Sequence, residues 1–570
     1  MKHWRVLSEN QEPDSGPALV SSIPRPLAEV LAARGVRSEA EFDRYFRPRL
    51  SDLGDPFQLP GMSAAVDRLW HAIVNNESIV VYGDYDVDGI TSAALMVKVL
   101  GQFGVKVSYY LPSRMEDGYG LGVEAVQKCI EQFRPTLIVT TDCGTGSTEA
   151  VRLAGKMGVD VVVTDHHESG GEVAPAVAVV NPKLGGDAQA RTLAGVGVSF
   201  KVCHALIKRA REAGRPEAER VDLREYLDLV ALGTIADVVP LTGENRILAS
   251  HGLMRLNRRE RKGVNALGDI AGARGELSAY HVAYVLGPRL NAAGRLGTAD
   301  SAIELLLTSH EERAQTLAGE LDECNRERKR IEKVILDAAI DEIETGAGEV
   351  GPHGIVVGQK GWHIGVIGIV AAKLSSRYER PAIVVGFGED GMGRGSCRGV
   401  EGFNLLDGLK SCESLLAGFG GHERAAGLEI HWDNFERFQK AFHAVCASEL
   451  KGRDLRSTLT LDSWIGIGDF QDAEFMRVLE GMAPFGEGNH EPVWGMKSVR
   501  LEGEPRLVGG SHLKMTLVSG GRACEAIGFN LGDRKVPMGP LDLAFTVRKN
   551  VYQGRSTVQL HIQDFREAVS

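Results

Sequence analysis

Residues 79–89, Ile79-Val80-Val81-Tyr82-Gly83-Asp84-Tyr85-Asp86-Val87-Asp88-Gly89, decide how the rest of the chain is read. The stretch opens as an apolar strand and ends in carboxylates at every second position, enclosed by two glycines. A strand apolar on both faces belongs in a parallel sheet covered by helices on each side. In such sheets the ligand site lies beyond the carboxyl ends of the strands. Outward from this stretch the pattern repeats at Val105–Tyr110, Leu137–Thr141, Val159–Thr164 and Ala178–Val180, with helical stretches between. Asp142 follows Leu137–Thr141, and Asp165-His166-His167 follows Val159–Thr164. Ile235-Ala236-Asp237-Val238-Val239 supplies one more carboxylate from outside the strands.

Carboxylates brought together in this way repel one another strongly. A pair of divalent cations resolves the conflict, and phosphodiester cleavage uses such a pair. Each cluster alone says less. Asp-x-Asp-x-Asp-Gly also opens a calcium loop, but the twelfth position from Asp84 is Leu95, where that loop needs a bidentate Glu. Asp142 by itself reads equally well as a helix cap. Asp165-His166-His167 makes a poor core segment, and imidazole suits Mn²⁺-type ions. Asp237, wrapped in apolar neighbours, needs a metal or a cationic partner.

The clusters resemble those of the DHH phosphoesterase superfamily, and within it the RecJ single-stranded-DNA exonucleases. Further motifs extend the resemblance over nearly the whole chain: Leu111-Pro112-Ser113-Arg114 with Gly118-Tyr119-Gly120, Gly287-Pro288-Arg289-Leu290-Asn291-Ala292-Ala293-Gly294-Arg295, Gly361-Trp362-His363-Ile364-Gly365-Val366-Ile367-Gly368, Gly395-Ser396-Cys397-Arg398, Gly420-Gly421-His422-Glu423-Arg424-Ala425-Ala426-Gly427 and Pro484-Phe485-Gly486-Glu487-Gly488-Asn489. The resemblance implies that Asp84, Asp86, Asp142, His166 and Asp237 hold two Mn²⁺ or Mg²⁺ ions. It gives His167 and Asp88 supporting catalytic roles and sets His422 across the cleft. Arg114, Arg295, Ser396 and Arg398 would hold a 5′-terminal phosphate, since guanidinium forks bind phosphate oxygens bidentately. Tyr82 stands where some relatives carry His. The implied activity is a 5′→3′ exonuclease on single-stranded DNA that releases mononucleotides in recombination and repair. A helicase and a single-strand-binding protein are the implied partners. A hydrolase of very short oligonucleotides and a non-catalytic DNA-binding scaffold are the competing readings. The long chain counts against the first, and the intact ligand set counts against the second.

The predicted architecture is α/β: a DHH-type doubly wound parallel sheet, a long connecting helix, a second α/β (DHHA1) domain and a C-terminal OB-like β-barrel. The expected boundaries are a helical extension over 1–60, the DHH domain over 61–310, the connecting helix over 311–346, the DHHA1 domain over 347–452 and the OB domain over 453–570. The last segment alternates apolar and polar residues, as at Leu513–Val518 and Thr557–Ile562, which is the pattern of half-buried antiparallel strands.

With 570 residues, the chain exceeds what one core accommodates. Its net charge of −11 argues against a passive nucleic-acid coat, though local basic patches still steer a polyanion. The eight cysteines are scattered without a Cys-x-x-Cys pair, which argues against a zinc ribbon or a disulfide framework. An N-terminus without an apolar signal core, and no apolar run of about 18–20 residues, lead to the expectation of a cytoplasmic protein without a membrane span. Absence of an extended coiled-coil pattern favours a monomer. Arg255, Arg258, Arg259, Arg261 and Lys262 read either as a track for a nucleic-acid backbone or as a solvated helix end. Tyr119, Trp362 and His363 read either as base-stacking groups or as core.

Overall fold

A computed structural model describes residues 2–7, 23–113, 120–345, 353–453, 456–552 and 555–568. The chain divides into two compact units, Leu53–Leu455 and a discontinuous one made of Met1–Asp52 with Arg456–Ser570.

The larger unit begins with a five-stranded parallel sheet. In chain order its elements are β1 (Ile79–Gly83), α1 (Val87–Gly101), β2 (Val107–Tyr110), β3 (Leu137–Thr141), β4 (Asp160–Thr164) and β5 (Ala178–Val180). The strand order is β2-β1-β3-β4-β5. Strands β1 and β3 are buried along their whole length, as their continuous Val and Ile content requires. Gly83, Thr141 and Thr164 lie side by side in register, so Asp84, Asp142 and Asp165 leave the sheet together at one edge. Helices α2 (Gly195–Glu212) and α3 (Leu227–Ala236) follow, and α3 ends one residue before Asp237.

Helix α4 (Gly287–Leu296) carries the Gly-Pro-Arg-Leu-Asn-Ala-Ala-Gly-Arg motif, and α5 (Glu311–Thr345) is the expected long connector. Its Asp322–Arg326 pair forms at 2.7 Å, as the spacing predicts. Asp322 is nevertheless buried, because Arg289 of α4 also bonds it at 2.9 Å. Arg328 and Glu332 form a second buried pair at 2.6 Å. The connector is therefore a packed element and not the solvated spacer that its charge suggests.

Beyond α5 a second sheet contains β6 (Ile355–Lys360), β7 (Ala382–Phe387), β8 (Met392–Arg398), β9 (Gly418–Gly421) and β10 (Ala425–His431), in the order β9-β10-β8-β7-β6. Of its pairs, β6 with β7 is parallel and the others antiparallel. Helix α6 (Ile364–Tyr378) follows β6 and packs on this sheet. Trp362, one of the stacking candidates, lies in the apolar core with Ile335 and Val366.

In the other unit, the strand Thr458–Leu461 pairs in parallel with His3–Val6. Seven strands follow in the order Ser463–Trp464, Trp494–Leu501, Leu541–Tyr552, Arg555–Glu567, Arg522–Gly528, His512–Ser519, Arg506–Val508. Arg500 and Leu501 also pair with Val518 and Leu517, so the strand path returns on itself. Their core of Phe470, Phe475, Trp494, Phe545 and Phe565 also takes in Leu27, Val30 and Leu31 from the helix Arg25–Ala33. Sequence reading took 1–60 as a helical extension packing on the core and missed the strand at 3–6. Four residues are too few for a periodic signal, and the strand's partner lies more than 450 positions away.

Candidate metal centre

Each ligand candidate is positioned by a backbone feature of its own. Asp86 caps α1, its Oδ1 accepting from Asp88 N at 3.0 Å and Gly89 N at 3.1 Å. Asp84 Oδ1 accepts from Tyr85 N at 2.8 Å. Asp142 adopts a left-handed backbone, φ 63°, directly past β3. Asp88 points back to the start of α2, where Gly195 N and Val196 N donate to its two oxygens at 2.6 and 2.8 Å. A carboxylate at a helix N-terminus is favoured by the backbone dipoles.

These side chains converge in three overlapping groups, Asp84/Asp86/Asp142, Asp142/His166/His167 and Asp88/His166/Asp237, the ligand atoms within each lying inside 4.8 Å of one another. Asp142 and His166 are each shared by two groups. His166 Nε2 lies 3.1 Å from Asp142 Oδ1, 3.6 Å from Asp237 Oδ2 and 3.8 Å from Asp88 Oδ2. All five residues that sequence reading assigned to metal are thus brought together, with Asp88 among them.

Burial is the leading cause of the altered titration here. It raises Asp142 well above the usual carboxylate range, and the charges of Asp88, Asp86, Asp237 and Asp84 add to the effect. Asp237 is pushed up to about 9 by burial and then by Asp88 and Asp86. Asp88 rises to about 7 by burial and then by Asp86. Burial lowers His166 to about 4, so its imidazole is neutral at pH 7 and offers a lone pair. Asp142 Oδ1 and His166 Nε2 are buried and, although close to each other, neither meets a hydrogen-bond partner in bonding geometry among the described residues. Buried polar atoms of this kind normally find one. Oxygen and imidazole donors, crowded together and with open lone pairs, fit Mn²⁺ or Mg²⁺.

Asp165, which sequence reading left without a role, is the organiser of the triplet. Its Oδ1 accepts from His166 N at 2.7 Å and pairs with His167 Nδ1 at 2.8 Å, while Oδ2 accepts from Thr145 N at 2.9 Å. Burial opposes ionisation of Asp165, but the His167 hydrogen bond and charge overcome it and hold the carboxyl below its ordinary range. Burial likewise opposes protonation of His167, and Asp165 overcomes it, so the His167 pKa is raised. A carboxylate behind an imidazole is the usual way to fix its orientation.

The motif on α4 ties this loop to the second sheet. Asn291 Oδ1 accepts from Val87 N at 3.0 Å. Gly294 lies against Tyr85, where a Cβ would meet Tyr85 O at 2.6 Å. Next to it, Arg295 Nη1 donates to Gly365 O at 3.4 Å, in the first turn of α6. One turn on, a Cβ at Gly368 would lie 3.0 Å from Ser396 Oγ and 3.6 Å from Arg398 Nη2. Arg398 Nη1 in turn donates to Ser396 Oγ at 3.2 Å. Arg295, Ser396 and Arg398 therefore gather around one helical turn. Arg114, expected with them, and Tyr119, a stacking candidate, lie outside the described residues.

Other candidates fall elsewhere. His422 stands exposed at the turn between β9 and β10. His363 caps α6, accepting from Gly365 N at 3.1 Å. Tyr82 is fully buried, stacked on Tyr110 and donating to Gly120 O at 3.2 Å, so this position serves packing. In the basic patch, Arg255, Arg259, Arg261 and Lys262 pair with Glu260, Asp269, Asp228 and Glu311, in keeping with the helix-end reading.

Comparison with known proteins places the chain in a family. Three family models match in order: the DHH family N-terminal domain at residues 78–234, the DHHA1 domain at 351–448 and the RecJ OB domain at 461–564. The single-stranded-DNA-specific exonuclease RecJ of Escherichia coli K12 is 35% identical over 98% of this chain and 99% of its own. That of Dickeya dadantii is 37% identical over 98% of each. The crystal structure of Thermus thermophilus RecJ with Mn²⁺ superposes with a TM-score of 0.83 at 30% identity, covering 100% of this chain and 80% of that one. A Mg²⁺ complex of the same protein gives 0.78 at 29%, covering 100% and 79%. By whole-length likeness to these relatives, and by the order of its three matched domains, the chain belongs to the RecJ family of the DHH superfamily.

Proposed function

We propose that this chain degrades single-stranded DNA from the 5′ end, releasing mononucleotides by two-metal hydrolysis of the phosphodiester bond. The observation that carries this reading is the set of ligand groups joined through Asp142 and His166, linked by α4 to the Arg295, Ser396 and Arg398 cluster. Asp84, Asp86, Asp142, His166 and Asp237 hold the ions. Bound there, such ions would supply activation of water at neutral pH and neutralisation of charge on the phosphoryl oxygens.

The other residues bind, orient or move protons. His167, aimed by Asp165, which also raises its pKa, donates to a non-bridging oxygen of the scissile phosphate. Asp88 fixes α2 against the centre and keeps Asp237 and His166 in place. Arg295, Ser396 and Arg398, with Arg114, grip the terminal phosphate, and His422 contacts the strand from the second sheet. A terminal-phosphate grip at a fixed distance from the ions measures one nucleotide per cut. The expected partners are a helicase that exposes the strand and a single-strand-binding protein that covers it, and the enzyme works as a cytoplasmic monomer.

Long single-stranded DNA carrying a label at either end tests the reading. With Mn²⁺ the 5′ label should leave first, as a mononucleotide, and a chelator should stop the release. A 5′-phosphorylated end should be preferred over a 5′-hydroxyl end, and Arg398→Ala should erase that preference. Equal loss from both ends, or cleavage confined to dinucleotides, would overturn it.

A further inference from the structure

Among the described residues of the larger unit, Tyr280 and Tyr284 are its most exposed aromatic side chains, at 53% and 69%. Their rings face each other, 5.0 Å between centroids and 36° between planes. Large aromatic groups normally bury most of their area, and this pair lies immediately before α4. Val282–Leu286, which contains Tyr284 and leads into α4, is a π-helix, a feature frequent at functional sites.

Their place along the chain gives the pair meaning. Gly287 opens α4 against Ala236, 3.5 Å from where its Cβ would stand, and Ala236 adjoins the ligand Asp237. Four residues on, Asn291 bonds the metal loop at Val87, and Gly294 rests on Tyr85. Arg295 then reaches the first turn of α6. The chain runs on from the tyrosines through Gly287, Asn291 and Gly294, so one continuous stretch links them past the carboxylates to the phosphate-gripping arginine. From Tyr284 to Arg295 this is about 16 Å at 1.5 Å per residue.

The geometry points to Tyr280 and Tyr284 as a stacking shelf for unpaired bases of the strand that remains after the cut. This rests on the nuclease reading above and extends it to a second subsite, whose ligand is single-stranded nucleic acid several nucleotides long. Bases stack on aromatic faces without regard to sequence, which suits an enzyme that degrades any strand. An unpaired base is the occupant favoured over an apolar peptide, because the shelf continues directly into the element that touches both the metal loop and Arg295. A duplex, its bases already stacked on one another, gains nothing from it.

Two measurements test the shelf. In the first, KM is compared for a 5′-phosphorylated oligothymidylate longer than a typical site of about 4–16 nucleotides and for the matching dinucleotide. The double variant Tyr280→Ala/Tyr284→Ala should raise KM on the long strand roughly tenfold or more beyond any change on the dinucleotide. Tyr284→Trp should keep the wild-type value, since an aromatic face and not a hydroxyl is required. Equal changes at both lengths, or none, would overturn the proposal, as would a loss that Trp fails to rescue. In the second, binding of the same oligothymidylate is followed by fluorescence anisotropy in chelator, where no cutting occurs. There too the double variant should weaken the long strand roughly tenfold or more, and equal affinity would overturn the shelf. If the wild type binds in this tyrosine-dependent way yet never cuts with metal, the nuclease reading fails and the shelf stands.

Discussion

Two buried ionic clusters of the larger unit are built on opposite rules. At one, Lys201 and Glu244 meet at 2.6 Å, 2% and 5% exposed, with Lys201 also donating to Gly54 O at 2.7 Å. Its charges are of opposite sign and answer each other within the chain. At the other, Asp84, Asp86, Asp88, Asp142 and Asp237 gather around His166, where burial and mutual repulsion push Asp142, Asp237 and Asp88 toward their protonated forms. The first cluster holds the fold together. The second costs the fold stability and gains its purpose only from an ion that the chain must recruit.

The sharpest break of this contrast is functional. Asp142→Ala should cut turnover on single-stranded DNA roughly ten-thousandfold, about 5 kcal/mol of barrier, while DNA binding in gel-shift assays persists. Wild-type turnover in this variant would show that the shared carboxylate is dispensable. The next effect is on stability. Glu244→Gln strands a buried ammonium and should cost about 3–5 kcal/mol in urea unfolding. Asp142→Asn, measured alike at pH 7 in chelator, should change stability far less than Glu244→Gln, because it takes a charge out of a buried cluster of carboxylates whose burial and mutual repulsion already raise the Asp142 pKa. Comparable losses in both would erase the distinction.

Protons give the last contrast. Asp237 keeps its proton up to about pH 9 in the folded chain, against an ordinary value of 3.8. Between those values the folded state binds more protons than the unfolded one, so stability without metal falls as pH rises. Saturating Mn²⁺ should offset this, adding about 2.7 kcal/mol at a hundred times Kd. Calorimetry at pH 7 in buffers of different ionisation enthalpy should show protons released on metal binding, and fewer above pH 9. Binding without proton release would mean the carboxylates are already ionised.

How much of this was legible beforehand follows from range. Ile79–Tyr82, Leu137–Thr141 and Val161–Val163 announce a parallel sheet because a strand buried on both faces leaves a local record. The same record fixes the carboxylates that end them. Asp237 was legible through its apolar neighbours, although only the packing of α3 shows which ligands it joins. Lys201 was not legible at all, since a helical lysine carries no mark of burial when its partner, Glu244, sits far along the chain. Asp165 hid behind the two histidines that it orients. Tyr280 and Tyr284 left a helical spacing, but spacing cannot say which face lacks a cover.

The strand His3–Val6 and the helix Arg25–Ala33 are covered by residues after 456. On the ribosome they are therefore synthesised roughly four hundred residues before their partners. Until then Leu27, Val30 and Leu31 have no cover from their own unit, although the larger unit has already been translated in full. A fragment that keeps the start of the chain but stops after 455 inherits that greasy helix permanently and should aggregate. Soluble expression of the larger unit alone calls for a start near Leu53.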